Sequence, residues 1–232
     1  MTSAVEPNAT GFAVIAPLPG VALVSGTVQQ AAAQAPRSAT ALVLPAQWPP
    51  LRRQQCLAVR ALAAVALASQ QMHAPVGRDA DGLPMWPAGM VGSLAHETHF
   101  ALAASAHRHH WQALGVDIEA DAALPDEAGS VVLCAVERER LAALAPTEAA
   151  RAARWIFSAK ECVHKALNPL NGAWLEFDEV AIQWSAGLPV EALSWQLQPL
   201  SAAARKASEG LTLEGRWWTQ QGCIHALLGV RS

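Results

Sequence analysis

Charge is sparse in this chain, and neither sign dominates. Only 15% of residues are Asp, Glu, Lys or Arg, and 19 acidic residues against 16 basic ones leave a formal charge of −3. That balance gives no general attraction to nucleic acid or to an anionic membrane, so a phosphorylated ligand must be held by a local basic cluster. Cysteine is scarce too: the four residues Cys56, Cys134, Cys162 and Cys223 stand far apart, with no CxxC pair. This spacing argues against a disulfide framework and against structural zinc, and points to a reducing, cytoplasmic location. Long apolar runs are missing. CLAVRALAAVALAS, near 56–69, is too short to span a bilayer and contains Arg60, so it reads as a buried helix. No basic residue precedes Arg37, and Pro17, Pro19 and Gly20 interrupt the mildly apolar start. A secretory signal is not expected.

What the chain has is apolar mass: 52% of 232 residues are hydrophobic, enough for one large domain or two small ones. Residues 11–45 read as short strands separated by Gly-, Pro- and Ala-rich turns. A helix follows Pro49 and Pro50 and runs to about Gln71. A Pro/Gly/Asp loop covers 73–90. Two strands follow, VGSLAH–FALAASA and LGVDIEA, with HRHHWQ (107–112) as the hairpin turn between them. VVLCAVERERLAAL reads as one helix and TEAARAARWIFSAKECVHKAL as another, ended by Asn168-Pro169. FDEVAIQW, SWQLQPL, LEGRWWTQ and HALLGV read as strands of a second sheet. Helix plus sheet thus occurs twice, with a seam near 112–120, and two α/β halves are the simplest architecture.

Two charged stretches carry the chemistry. In GVDIE, Val116 and Ile118 alternate with Asp117 and Glu119, so both carboxylates leave one face of a strand, about 7 Å apart. A hard divalent cation is held by such oxygen donors together with substrate phosphates. A solvated strand face is the simpler alternative. Forty residues on, FSAKECVHKAL is a helix. Ile156, Ala159, Val163, Ala166 and Leu167 form its apolar stripe, and Phe157, Lys160, Glu161, His164 and Lys165 its opposite arc. Glu161 and Lys165 also have the spacing of an ordinary surface ion pair. Taken together, Asp117, Glu119 and Glu161 make a candidate magnesium site. Lys160 and Lys165 are then placed to hold phosphate oxygens or protonate a leaving phosphate. This is equipment for chemistry at a pyrophosphate.

The pair GVDIE and FSAKECVHKA resembles the signature of the 4′-phosphopantetheinyl transferases of the Sfp type, closest to the branch serving siderophore and related peptide or polyketide synthesis. RRQQCLAVR, with Arg52 and Arg60 eight apart, and LPMWPAGMVGSLAH agree with it. The similarity runs from about residue 48 to 177. The resemblance implies an α/β (α+β) fold of two pseudo-symmetric halves, 1–112 and 113–232. Each would be a small, mostly antiparallel sheet packed with helices, with the ligand cleft between them. It implies transfer of the phosphopantetheine arm of coenzyme A to a serine of an apo acyl, peptidyl or aryl carrier protein, releasing 3′,5′-ADP. Asp117, Glu119 (directly or through water) and Glu161 would hold Mg²⁺, or Mn²⁺ in its place. Lys160 would contact phosphate oxygens, Glu161 or a metal-bound water would take the serine proton, and Lys165 would steady the departing ADP. Arg52, Arg60 and His96 would hold the 3′-phosphate and ribose, with Arg78, Pro84 and Ser93 on the same cofactor side.

Two positions depart from the family. Ala95 replaces a serine before His96, and Asp81 replaces a lysine, for which nearby Arg78 is the candidate substitute. Phe157 stands where other branches carry tryptophan, and so resembles the siderophore branch. A metal-dependent hydrolase of CoA or nucleotide pyrophosphates, and a non-catalytic CoA-binding module, are the alternatives. No nucleic acid, membrane or oligomeric partner is expected. His107, His109 and His110 read as a solvated turn, Cys162 as a packed residue, and one of Trp217 and Trp218 as exposed.

Overall fold

The computed structural model describes residues 11–35, 44–184 and 193–232. The chain divides into two compact units, Met1–Leu114 and Gly115–Ser232.

The first unit is built on a four-stranded sheet ordered β1-β2-β6-β5. Its strands are β1 (Val14–Ile15), β2 (Val21–Thr27), β5 (Met90–His96) and β6 (Phe100–His107), and neighbours run antiparallel. Helix α2 (Pro50–Ala68) packs on β2, β5 and β6. Pro50 opens it, where a missing N–H costs nothing. Its Ala58, Leu62, Ala63 and Ala66 are fully buried against Val24 and Ala103 of the sheet. A small hairpin, β3 (Gly77–Arg78) with β4 (Pro84–Met85), lies between α2 and β5 in sequence. Thr27 closes β2 and caps α1 (Val28–Ala33), its hydroxyl accepting from Gln30 N at 3.1 Å. Residues 28–33 fall in the run expected as short strands and Ala-rich turns; the cap starts a helix there instead. Residues 36–43, expected to belong to the same run of strands, lie outside the described residues.

The second unit holds a five-stranded sheet ordered β7-β11-β10-β9-β8. These are β7 (Ala113–Ala120), β8 (Val180–Trp184), β9 (Leu193–Pro199), β10 (Thr212–Gln220) and β11 (Cys223–Arg231), with a short helix α6 (Ala202–Ser208) after β9. The long helix α5 (Pro146–Asn171) packs on β11. Trp155 of α5 meets Trp217 of β10 edge to face at 5.5 Å, and Trp195 lies 5.8 Å from the same ring. Both units are antiparallel sheets packed with helices, the fold class expected from the sequence.

Several boundaries differ from expectation. β6 and β7 belong to different sheets, so residues 107–112 connect the two units and are not a hairpin. The single helix expected over 131–144 is two, α3 (Asp126–Val132) and α4 (Ala135–Leu141). Leu133 and Cys134 between them are extended, and Glu137 reaches back to the Cys134 N–H at 3.0 Å. That capping box starts a new helix where the old one ends. Pro169 does not stop α5. It falls in the last turn, and the helix ends at Gly172, whose φ of 73° is the left-handed cap. Trp217 is buried, whereas Trp218 is half-buried and stacks on His225 at 5.2 Å.

Candidate active site

β7 and α5 touch backbone to backbone. A Cβ on Gly115 would lie 1.9 Å from the Cys162 carbonyl oxygen, so only glycine permits this approach. Strand alternation puts Asp117 and Glu119 on the same face as Gly115, and that face meets the helix. Val116 and Ile118 fill the opposite, buried side. The carboxylates therefore do not line a solvated face: Asp117 is only 5% exposed.

α5 answers them with one of its own faces. Lys165 Nζ donates to Asp117 Oδ1 at 2.6 Å and Ser158 Oγ donates to Asp117 Oδ2 at 2.8 Å. Arg154 donates to Glu119 Oε2 at 2.8 Å, and Arg151 makes a two-pronged pair with Asp121, both bonds 2.6 Å. Glu161, half-buried on the same helix face, stands 4.0 Å from Lys165. Burial raises the Glu161 pKa; Lys165 opposes the shift, and the charge of Asp117 adds to it. Glu119 is raised likewise, by burial and then by Asp117, against Arg154. Burial would lower Lys165, but Asp117 outweighs it and the ammonium is held more firmly than usual.

Asp117 is thus the member that both glutamates feel. Among the described residues no three His, Cys, Asp or Glu side chains already stand together as a ligand set. In kind, however, the donors suit a hard cation: carboxylate oxygens only, two of them strained by burial and mutual repulsion. Lys165 Nζ stands 2.6 Å from Oδ1 of Asp117, so the ammonium shares this carboxylate with any cation held there.

Lys160 is a correction. Expected on the polar arc, it is 2% exposed. Its ammonium donates to Glu137 Oε2 at 2.6 Å, to the Phe177 carbonyl at 2.7 Å and to the Val132 carbonyl at 2.8 Å. An ammonium has three protons; all three are matched, and none is left for a phosphate.

The first unit gathers a separate group of cations. Arg52 donates to Nε2 of His96. Arg52 and Arg78 each sit with the guanidinium carbon 5.3 Å from the centre of the Trp48 ring. Arg60 is 6% exposed and bonds the Cys56 carbonyl at 3.3 Å, the Cys56 sulfur at 3.0 Å and the Gly77 carbonyl at 3.4 Å. Burial, with a smaller push from the positive charges of Arg78 and Arg52, lowers its pKa. Among the described residues none of these three arginines has a carboxylate partner. Pro84 pairs with Arg78 across the hairpin. Ser93 is a second correction. Three positions from His96 along the regular strand β5, it is buried and points to the opposite face.

Comparison with known proteins covers residues of both units. The model described as the 4′-phosphopantetheinyl transferase N-terminal domain matches residues 39–106, and that of the 4′-phosphopantetheinyl transferase superfamily matches 113–213. The transferase PptT of Mycobacterium tuberculosis is 30% identical over 177 residues, 75% of this chain and 77% of that protein. The chain belongs to the 4′-phosphopantetheinyl transferase family. Other members similar to it are Svp of Streptomyces mobaraensis, 38% identical over 152 residues, and Npt of Nocardia iowensis, 36% identical over 132. These matches span 64% and 56% of this chain, but only about three-fifths of each relative's length, 60% and 59%. No described helix of this family member is long and apolar enough to cross a membrane.

Sequence reasoning missed Ser158 and Arg154, although 154, 158, 161 and 165 share a helix face by spacing alone. It also missed Glu137, whose CxxE spacing from Cys134 resembles a capping box, and Trp48, for which no local signal exists.

Proposed function

We propose that this protein transfers the 4′-phosphopantetheine arm of coenzyme A to a serine of an apo carrier protein, releasing 3′,5′-ADP. We place it in the Sfp type, on the siderophore-related branch. The observation that carries the activity is the Asp117–Ser158–Glu161–Lys165 cluster, where carboxylates and an ammonium of α5 and β7 meet in a partly buried site. The arginine group in the first unit, without carboxylate partners among the described residues, supports a ligand carrying a further phosphate. Phe157 and the eight-residue spacing of Arg52 and Arg60 support the branch.

Asp117, Glu119 and Glu161 would hold Mg²⁺, which when bound would offset the charge of the CoA diphosphate. The chain's own groups do the rest. The carrier serine oxygen attacks the phosphorus that bears the pantetheine arm, and the bond from that phosphorus to the ADP oxygen breaks. Glu161, or a water beside it, would take the serine proton. Lys165, kept charged by Asp117, turns to the departing ADP oxygen. Arg52, Arg60 and Arg78 would bind the 3′-phosphate, with Arg78 standing in for the lysine absent at Asp81, and Pro84 fixing the hairpin that carries it. The carrier is an acyl, peptidyl or aryl type, whose acidic surface suits a partly basic docking face.

The test is mass spectrometry of an apo carrier incubated with CoA, Mg²⁺ and the protein. The carrier is expected to gain the mass of the phosphopantetheine arm. An unmodified carrier with free phosphopantetheine in solution would make the protein a hydrolase, and CoA binding with neither product would make it a binding module.

A further inference from the structure

We propose that Trp48 is a positioning residue that sets this protein's preference for a 3′-phosphorylated donor, by holding Arg52 and Arg78 together as one anion clamp. The inference rests on reading the arginine group as the 3′-phosphate site.

The physical problem is repulsion. Arg52, Arg60 and Arg78 lie close enough that Arg78 and Arg52 depress Arg60, and no carboxylate among the described residues pairs with any of them. Arg60 is fixed by burial and by backbone carbonyls. Arg52 is on the exposed side of α2, tied in part by its bond to Nε2 of His96, and Arg78 sits on a two-residue strand. One aromatic ring engages both. Both guanidiniums lie 5.3 Å from its centre, within the range where the negative π face attracts a cation.

The ring is itself anchored. Trp48 N donates to the Pro45 carbonyl at 3.1 Å, closing a tight turn ahead of α2. Arg53 clamps that turn, with Nη2 donating to the Pro45 and Ala46 carbonyls at 2.9 Å each and Nε to the Trp48 carbonyl at 3.2 Å. Adjacent arginines thus have different work: Arg53 spends its donors on the turn, while Arg52 keeps its charge at the ring. On the other side Gly82 (φ +94°) leaves space for Arg78, because a Cβ there would meet the guanidinium nitrogen at 2.4 Å. Asp79 shapes that loop, accepting from Leu83 N at 2.7 Å. Two separate loops therefore converge to aim Arg78, the residue that stands in for the missing lysine at Asp81.

Calorimetric titration of the full chain with CoA and with dephospho-CoA measures the clamp directly. Wild type is expected to bind CoA more tightly. Trp48→Ala should lower that discrimination ratio about tenfold, since two cation–ring contacts are lost, and Trp48→Phe should restore most of it. Gly82→Ala, which displaces Arg78 without touching Trp48, should lower the ratio too. A Trp48→Ala protein that loses affinity for both donors equally, or for neither, overturns the proposal. A wild type that binds both donors alike, with Arg60→Gln changing neither, would instead overturn the 3′-phosphate reading beneath it.

Discussion

Replacing Lys160 by methionine separates a phosphate-binding lysine from a structural one. The ammonium and the Glu137 carboxylate are 1% and 2% exposed and 2.6 Å apart. Around them converge α5, α4, the carbonyl of Val132 at the end of α3, and the carbonyl of Phe177 in the turn Phe177–Glu179. Methionine fills the space but leaves Glu137 as a buried charge facing no cation, with the N–H groups of Cys134 at 3.0 Å and Ile182 at 2.7 Å. Breaking such a pair by removing one partner costs about 3–5 kcal/mol. For a chain of this size that corresponds to a fall in melting temperature of about 10 °C. Urea unfolding of Lys160→Met, Glu137→Gln and the double variant supplies the cycle. The double variant should recover a large part of the loss, because it has no charge left to bury. Lys160→Met with wild-type stability but weakened CoA binding would refute this assignment and return Lys160 to the phosphate.

Glu161→Gln should abolish transfer to the carrier while leaving thermal unfolding cooperative; a fully active variant would show that Glu161 is neither base nor ligand. Gly115→Ala should destabilise the second unit by at least the ~1–3 kcal/mol typical of overpacking, because the new Cβ meets backbone, the Cys162 carbonyl at 1.9 Å, and not a movable side chain. Wild-type stability in urea would show that β7 and α5 are not in that contact. His225, 2% exposed and stacked on Trp218, has its pKa lowered to about 4 from 6.5, mainly by burial. The unfolded chain then binds a proton that the folded one refuses, so stability present above about pH 6.5 falls as pH drops toward 4, by about 3 kcal/mol in all. Glu119 and Glu161 act in the opposite sense, since raised carboxyl pKa values favour the fold as pH falls. The histidine's share is therefore read as the difference between wild type and His225→Gln; identical pH profiles would refute it.

Much of the site was legible as periodicity, and the failures have physical reasons. Alternation in GVDIE put Asp117 and Glu119 on one face, but whether that face met water or protein depended on Gly115 admitting a helix forty residues away. The odd offset of Ser93 from His96 did forbid a shared face, since a strand reverses direction at every residue. Lys160 could not be placed from its own helix, because the elements that cover it arrive from three other segments. The α5 face that was missed is the most instructive. Arg151, Arg154 and Ser158 answer Asp121, Glu119 and Asp117 in reverse order along the chain. From 151 to 158 a helix rises about 10 Å, while from 117 to 121 a strand advances about 13 Å, a mismatch that flexible arginines absorb. Once Gly115 lets the backbones touch, this ladder fixes the register. Sliding α5 by one residue would turn its charged face by about 100° and unpair all three carboxylates at once. The pairs that hold the helix in place are thus the same pairs that deliver Glu161 and Lys165 beside Asp117.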